Sequence, residues 1–168
     1  MTPYLVTPPA SLPVDLADIK LHLRAVHDGD DADIAAKQAG AVAMLDAWGG
    51  LLGRCIMPQT WAVDVTGPGP HLLPFPDASD VTATAGGAPL EVTVTRAGLG
   101  LCAEVSADPG QAVTITAQYA LPEPRRSAAQ SLVKLIVQRE FDMLAGADGD
   151  AITRSIDALI SVLRWRRI

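Results

Sequence analysis

The residues of this chain that could bind a metal or act in catalysis are few, and their spacing suits neither role. An acidic run at 28–33 resembles a calcium-binding loop. However, Ala32 stands at its fifth position, Asp33 where a glycine is required and Ala39 where a bidentate glutamate is required. We therefore interpret the run as a solvated turn whose carboxylates cap the following helix, and expect no metal site.

The histidines and possible nucleophiles form no catalytic pattern either. His22 and His27 are five residues apart, whereas two imidazoles on one helical face need a spacing of about four, and His71 lies in a proline-rich loop. No nucleophile elbow, Cys-His signature or glycine-rich phosphate loop is visible. We therefore expect no enzymatic activity and no cofactor.

The C-terminal segment has the composition of a docking site. A tryptophan, three arginines and a final isoleucine follow an amphipathic helical pattern, and Trp and Arg are enriched in interface hot spots. The residues expected to dock on a partner are Leu163, Arg164, Trp165, Arg166, Arg167 and Ile168. Two alternatives stay open, namely contact of the arginines with DNA and a tail packed on its own chain.

A second cationic feature lies at the start of a predicted helix. Arg125 and Arg126 stand where positive charge is unfavourable, because the helix dipole is positive at that end. They are predicted to lie at a subunit interface or to face an acidic group of a partner, with solvated charge as the alternative.

Composition limits the class of protein. With 168 residues, 49% of them apolar and 19% charged, the chain is long enough to bury a core as one domain. The net charge of −6 argues against a general nucleic-acid binder. It does not argue against a protein that lines a channel through which DNA slides. Cys55 and Cys102 are expected to be buried thiols in a reducing compartment. No run approaches the roughly 20 apolar residues that cross a bilayer, and no signal peptide is visible, so we expect a soluble protein.

The elements that position these residues follow from hydrophobic periodicity. Residues 1–12 are predicted to form an extended arm, 13–53 two helices, 125–163 two more helices and 164–168 the docking tail. Between the helical segments, residues 56–120 alternate with a period of two and carry tight-turn residues, which predicts antiparallel strands with one buried face. Trp48 and Trp61 are expected in the core. The predicted class is α+β, a body of about four helices with an antiparallel β-rich insertion between the second and third.

The order of motifs along the chain resembles the head-tail connector (adaptor) proteins of tailed phages and gene transfer agents. The motifs that carry the resemblance are Pro13-Val14-Asp15-Leu16, His22-Leu23-Arg24, Gly53-Arg54 and Gln59-Thr60-Trp61. The resemblance implies a non-catalytic ring, usually of twelve copies, located in the neck of a virion or virus-like particle and made in the bacterial cytoplasm. It also implies a portal partner that the docking tail binds, a stopper or tail-terminator on the other side, and DNA passing through without sequence-specific binding.

Two other functions remain as alternatives. Another neck component, such as a stopper or tail terminator, also forms rings but is usually more purely β. A small DNA-binding packaging factor would use Arg164, Arg166 and Arg167, and its duplex binding would weaken steeply with salt.

Overall fold

The computed structural model describes residues 1–98, 100–141 and 149–165. In these ranges the chain forms four α-helices and eight β-strands, which belong to two compact units. The helical unit comprises residues 11–56 and 122–164, and the β unit comprises 1–10, 57–121 and Trp165. The predicted α+β class, with the β-rich part inserted between the second and third helices, is confirmed.

The helical unit consists of α1 to α4 and one short 3-10 turn. The bounds are α1 (Leu16–Leu23), the 3-10 turn (Asp28–Asp30), α2 (Asp31–Leu45), α3 (Arg125–Phe141) and α4 (Gly149–Leu163). Helix α3 packs on the other three helices, as its broad apolar surface predicts. The fully buried side chains of this unit include Ile19, Ile34, Leu45, Leu132 and Ile136.

Two glutamines fasten the segment that leads into α1. The Gln38 side chain is buried on α2, and its Nε2 donates to the carbonyl oxygen of Val14. Gln130 Nε2 on α3 donates to the carbonyl oxygen of Pro13 at 2.8 Å. Since a buried carbonyl without a donor is costly, these bonds hold the chain ahead of α1 against α2 and α3.

The sequence has a stripe of residues at spacings of three and four that runs from Ile34 through Trp48 to Leu52, but helix α2 ends at Leu45. Asp46 is extended, Ala47 has a φ of 58°, and the chain folds back so that the Leu52 amide donates to the Leu45 carbonyl at 3.1 Å. Trp48 therefore leaves the buried stripe and is 37% exposed, so its prediction as a core residue was wrong.

This turn after α2 depends on one glycine. A Cβ on Gly50 would lie 2.2 Å from the Asp46 carbonyl oxygen and 2.3 Å from that of Leu45, which no side chain can tolerate. A Cβ on the neighbouring Gly49 would have no such atom within 4 Å.

The β unit contains two antiparallel sheets. Its strands are β1 (Tyr4–Thr7), β2 (Gln59–Thr66), β3 (Gly69–Leu72), β4 (Ala78–Ala85), β5 (Ala88–Leu90), β6 (Val92–Ala97), β7 (Gly100–Val105) and β8 (Ala112–Tyr119). The five-stranded sheet has the order β1-β2-β8-β4-β5, and the three-stranded sheet has the order β3-β7-β6. One apolar cluster draws residues from β2, β4, β7 and β8, so the two sheets share a core.

Aromatic side chains extend this core. Phe75, in the loop after β3, makes edge-to-face contacts with Trp61 and Tyr119 at centroid distances of 5.4 and 5.0 Å. Phe75 and Tyr119 are each 1% exposed, and Trp61 is half-buried with its Nε1 donating to Gln59 Oε1 at 3.0 Å. The expectation that Trp61 is a core residue agrees with this placement.

The alternating segment from Leu90 to Thr95, within the predicted β-rich region, is divided between two strands in the structure. Strand β5 ends at Leu90, and after Glu91 the chain enters the other sheet as β6. Five of the six β6 residues are exposed, among them Val94 at 41%, so the predicted buried face is absent there. Among the described residues, no helix is long and apolar enough to cross a membrane.

Candidate docking surfaces

The acidic turn between α1 and α2 is held by a lysine. Lys20 Nζ lies 2.6 Å from a carboxylate oxygen of Asp28 and 2.6 Å from one of Asp31. These hydrogen bonds raise the pKa of Lys20 above its usual 10.5, and the bond to Lys20 lowers the pKa of Asp28 below its usual 3.8. The Asp30 side chain, which occupies the N-cap position of α2, makes no capping hydrogen bond, so the cap expected there is absent, and the neighbouring carboxylates of Asp28 and Asp31 pair with Lys20.

Two of the three histidines have hydrogen-bond partners within the fold. His22 Nε2 on α1 lies 3.0 Å from Gln138 Oε1 on α3, and His71 Nε2 lies 3.1 Å from the Gly67 carbonyl oxygen. His27 directly precedes the 3-10 turn. In the part of the chain that the structure describes, no three His, Cys, Asp or Glu residues are grouped closely enough to hold a metal ion.

Both cysteines are buried thiols. Cys55 lies in the helical unit and Cys102 on β7 in the β unit, and they are 2% and 9% exposed. Their burial agrees with the prediction that they serve as small apolar side chains.

The predicted docking tail is placed only in part. Leu163 is the last residue of α4 and is 1% exposed. Arg164 is exposed, and its amide continues the helical pattern by donating to the Ile160 carbonyl at 2.8 Å. Arg166, Arg167 and Ile168 lie outside the described residues.

Trp165 lies within the β unit and is half-buried. A Cβ built on Gly100, the first residue of β7, would be 3.7 Å from Trp165 Cζ2 and 3.0 Å from Leu72 Cδ1. The indole therefore lies close to β7 at Gly100, where an added Cβ would make ordinary contact with it and a tighter one with Leu72.

The two arginines at the start of α3 differ in their surroundings. Arg125 is exposed, whereas Arg126 is partly buried, with its Nε 3.8 Å from a carboxylate oxygen of Glu123. Glu123 also accepts a hydrogen bond from the Ser127 hydroxyl at 2.8 Å. This carboxylate near the helix start offsets the unfavourable placement of the arginines that the sequence showed.

Sequence reasoning missed the exposed strand edges of the β unit. Strands β1 and β6 are edges, and the exposed fractions are 45% for Leu5, 51% for Val6 and 41% for Val94. Prolines mark the other two edges, with Pro70 in β3 and Pro89 in β5. The Val-Thr-Val-Thr run of β6 contains no proline. Alternating apolar residues are typical of central and edge strands alike, so the sequence does not identify β6 as an edge.

A scan against models of known protein families finds no match, and neither does a search of curated protein sequences. Among solved structures, the chain is similar to a chain from the neck of an empty GTA particle, a structure computed with C6 symmetry. The two chains are 19% identical with a TM-score of 0.69, and the likeness covers 100% of this chain and 97% of that one. The two chains therefore share a fold over nearly their whole lengths.

Proposed function

We propose that this protein is a structural component of the neck of a tailed phage or gene transfer agent (GTA) particle. The observation that carries the proposal is the full-length likeness in fold to a chain of a GTA particle neck. A shared fold alone does not define a function, but here the motif order points to the same class of particle independently of that comparison. A non-enzymatic role is in keeping with both.

Within the neck, we assign the chain to the adaptor position between the portal and the stopper or tail terminator. The motifs from Pro13 to Trp61 support this position. So do the helices on both sides of the strand region, because the stopper and tail-terminator alternatives are usually more purely β. The adaptor would be assembled in the bacterial cytoplasm and remain in the finished particle.

The proposed assembly is a closed ring of identical subunits, with a dodecamer as the expected stoichiometry. Twelve copies around one axis also contain sixfold symmetry, so the C6 symmetry of the similar neck is compatible with this number. The formal net charge of −6 suits a channel past which DNA slides without binding.

The portal-binding surface is proposed to be the C-terminal segment, residues 163–168. Arg164 is exposed at the end of α4, and the next residue is a tryptophan, the residue type most typical of interface hot spots. Because Leu163 is buried within its own chain, we expect it to position the segment, and we expect the residues after it to make the contact. Arg125 and Arg126 are proposed as a second contact, between neighbouring subunits.

The test is co-sedimentation of the chain with the purified portal ring encoded beside it. We expect the intact chain to bind the ring, and a chain ending at Trp165 to lose most of the binding while retaining the Trp165 contact with β7. Arg164→Glu should weaken binding at least tenfold. Arg154→Glu is the matched control, because Arg154 is an exposed arginine on α4 and lies outside the proposed segment.

Failure of the intact chain to bind the portal would exclude the adaptor position. Binding to the stopper or tail terminator alone would then assign the chain to another neck position. Duplex DNA binding that falls steeply with salt, and is lost in Arg164→Glu, would instead support the packaging-factor alternative.

A further inference from the structure

Trp165 is the last residue of the docking tail that the structure describes, and its indole is engaged on the β unit of its own chain. The side chain is half-buried. A Cβ built on Gly100 would lie 3.7 Å from Trp165 Cζ2 and 3.0 Å from Leu72 Cδ1, so both side chains approach the same point of β7. We refer to Leu72 and Gly100 as the indole site.

The indole site lies on the face of the three-stranded sheet that points away from the shared core. Side chains alternate along β7, and the core contains Ala103 and Val105, so Gly100 and Cys102 belong to the opposite face. Leu72 on β3 is directly opposite Cys102 and therefore shares that outer face. The contact with Trp165 is thus separate from the core that stabilises the β unit.

Burial on this outer face is confined to the end that holds the indole site. Gly100 is buried and Cys102 is 9% exposed, whereas Glu104, further along β7, is exposed. Thr93 and Thr95 on the neighbouring strand β6 are exposed as well. The outer face is therefore covered locally, at the point where the indole lies, and most of it remains open to solvent.

We propose that Trp165 is a positioning residue, whose indole binds the indole site and fixes the point from which the last three residues reach the portal. This inference rests on the portal docking proposed above. A tail that is held before it binds loses less conformational freedom on binding, and such preorganisation raises affinity. The direct contacts with the portal are then made by Arg164 and residues 166–168, and the indole acts through them.

The positioning role and a direct hot-spot role lead to different expectations for the indole site. If the indole itself entered a pocket of the portal, it would have to leave the indole site first. Disrupting that site would then leave portal binding unchanged or strengthen it. If the indole stays in place as an anchor, disrupting the site weakens portal binding although the altered residue lies outside the tail.

The main test is the portal affinity of full-length variants. In Gly100→Val the γ carbons enter the space beside Leu72 and the indole, and valine suits the strand because Gly100 is outside the left-handed region. We expect Gly100→Val and Trp165→Ala each to raise the Kd for the purified portal ring about tenfold. The double variant should raise the Kd no further than either change alone, because both remove the same contact.

Controls separate the indole site from its surroundings. Thr93→Val introduces the same side chain at an exposed position on the same sheet face and should leave the Kd unchanged. Leu72→Ala is the second variant of the site and should weaken binding as Gly100→Val does. Because Leu72 is 37% exposed, this change keeps the test valid if valine at position 100 disturbs β7.

Further measurements distinguish positioning from a merely structural role. The urea midpoints of the Trp165 and Leu72 variants should stay close to that of the wild type, and Trp165→Phe should restore most of the portal binding that Trp165→Ala loses. Fluorine NMR of the chain labelled with 5-fluorotryptophan reports the indole directly. Among the signals of Trp48, Trp61 and Trp165, only that of Trp165 should move in Gly100→Val.

Four results would overturn the positioning role while the intact chain still binds the portal. They are weaker binding in Trp165→Ala alone, tighter binding in Gly100→Val and Leu72→Ala, unchanged binding in all three, and a Trp165 signal that Gly100→Val does not move. In each case the adaptor position stands and only the positioning role fails. Failure of the intact chain to bind the portal would instead exclude the adaptor position, and the positioning role with it.

Discussion

The helical unit and the β unit are stabilised by different kinds of contact. The shared core of the β unit consists of Ala, Val, Leu and Ile side chains from both sheets, extended by the Trp61, Phe75 and Tyr119 aromatic contacts. The helical unit also buries apolar side chains. In addition it relies on single polar or backbone-dependent features, namely the Gln38 and Gln130 bonds, the Gly50 turn and the Lys20 ion pairs.

The difference indicates how each unit responds to mutation. A β core made of small branched side chains is sensitive to lost volume, because a cavity in a closely packed interior is filled only in part. A unit that depends on individual hydrogen bonds and on one glycine is sensitive to changes of a few atoms, even where side-chain volume is conserved.

The largest effect is expected for Phe75→Ala in the β unit. Removal of a ring that is 1% exposed and contacts two other aromatic residues should lower the free energy of unfolding by about 4 kcal/mol. Urea denaturation measures the change. Val94→Ala, at an exposed position, is the control and should change stability by less than about 0.5 kcal/mol; equal effects would contradict the account of the β core.

Gly50→Ala should be the most damaging single-carbon change in the helical unit. The added Cβ meets two carbonyl oxygens, so the turn after α2 must shift, at a cost of about 3 kcal/mol. Gly49→Ala adds the same atom to open space and should be nearly neutral. Thermal unfolding of the two variants side by side gives the comparison, and similar melting temperatures would rule out the proposed steric cause.

Gln38→Met is expected to cost about 1–2 kcal/mol, because side-chain length is kept while the buried donor to the Val14 carbonyl is lost. Gln130→Met, at a half-buried site where water can replace the donor, should cost less than about 1 kcal/mol. Amide hydrogen exchange in α1 and α2 provides the measurement. A larger loss of stability for Gln130→Met than for Gln38→Met would contradict the greater importance assigned to the buried Gln38 bond.

The smallest loss of folding stability is expected for Lys20→Met, and the size of this loss should depend on pH. The lowered pKa of Asp28 means that its stabilising contribution is present above its usual 3.8 and is lost as pH falls through the lower folded value. The raised pKa of Lys20 gives a contribution that is present below its usual 10.5 and is lost as pH rises through the higher folded value.

The difference in unfolding free energy between wild type and Lys20→Met should therefore stay level between these limits and shrink beyond them. Urea titrations at pH 3, 7 and 11 measure this difference. A difference that does not change at the acid end would show that the pair with Asp28 contributes nothing.

The parts of the fold that depend on neighbouring residues could be predicted. The apolar stripe of Ile34, Gln38, Ala41 and Leu45 lies on one buried face as its spacing indicates, and the Gly86-Gly87 turn joins β4 to β5. The start of α3 at Arg125 agrees with the arginines being at its N-terminus. The docking role of residues 163–168 stays a prediction, since Leu163 is buried and the last three residues are not described.

The amino-acid order by itself determined the α+β class, the order of helices and strands, and the burial of both cysteines. These follow from periodicity and turn residues, which act over a few positions. The tertiary structure alone decided that β6 is an exposed edge, that Trp48 leaves the buried stripe, and that Trp165 rests against Gly100. The physical reason is that exposure of a strand or an indole is set by partners distant in sequence, and no local pattern records which partners those are.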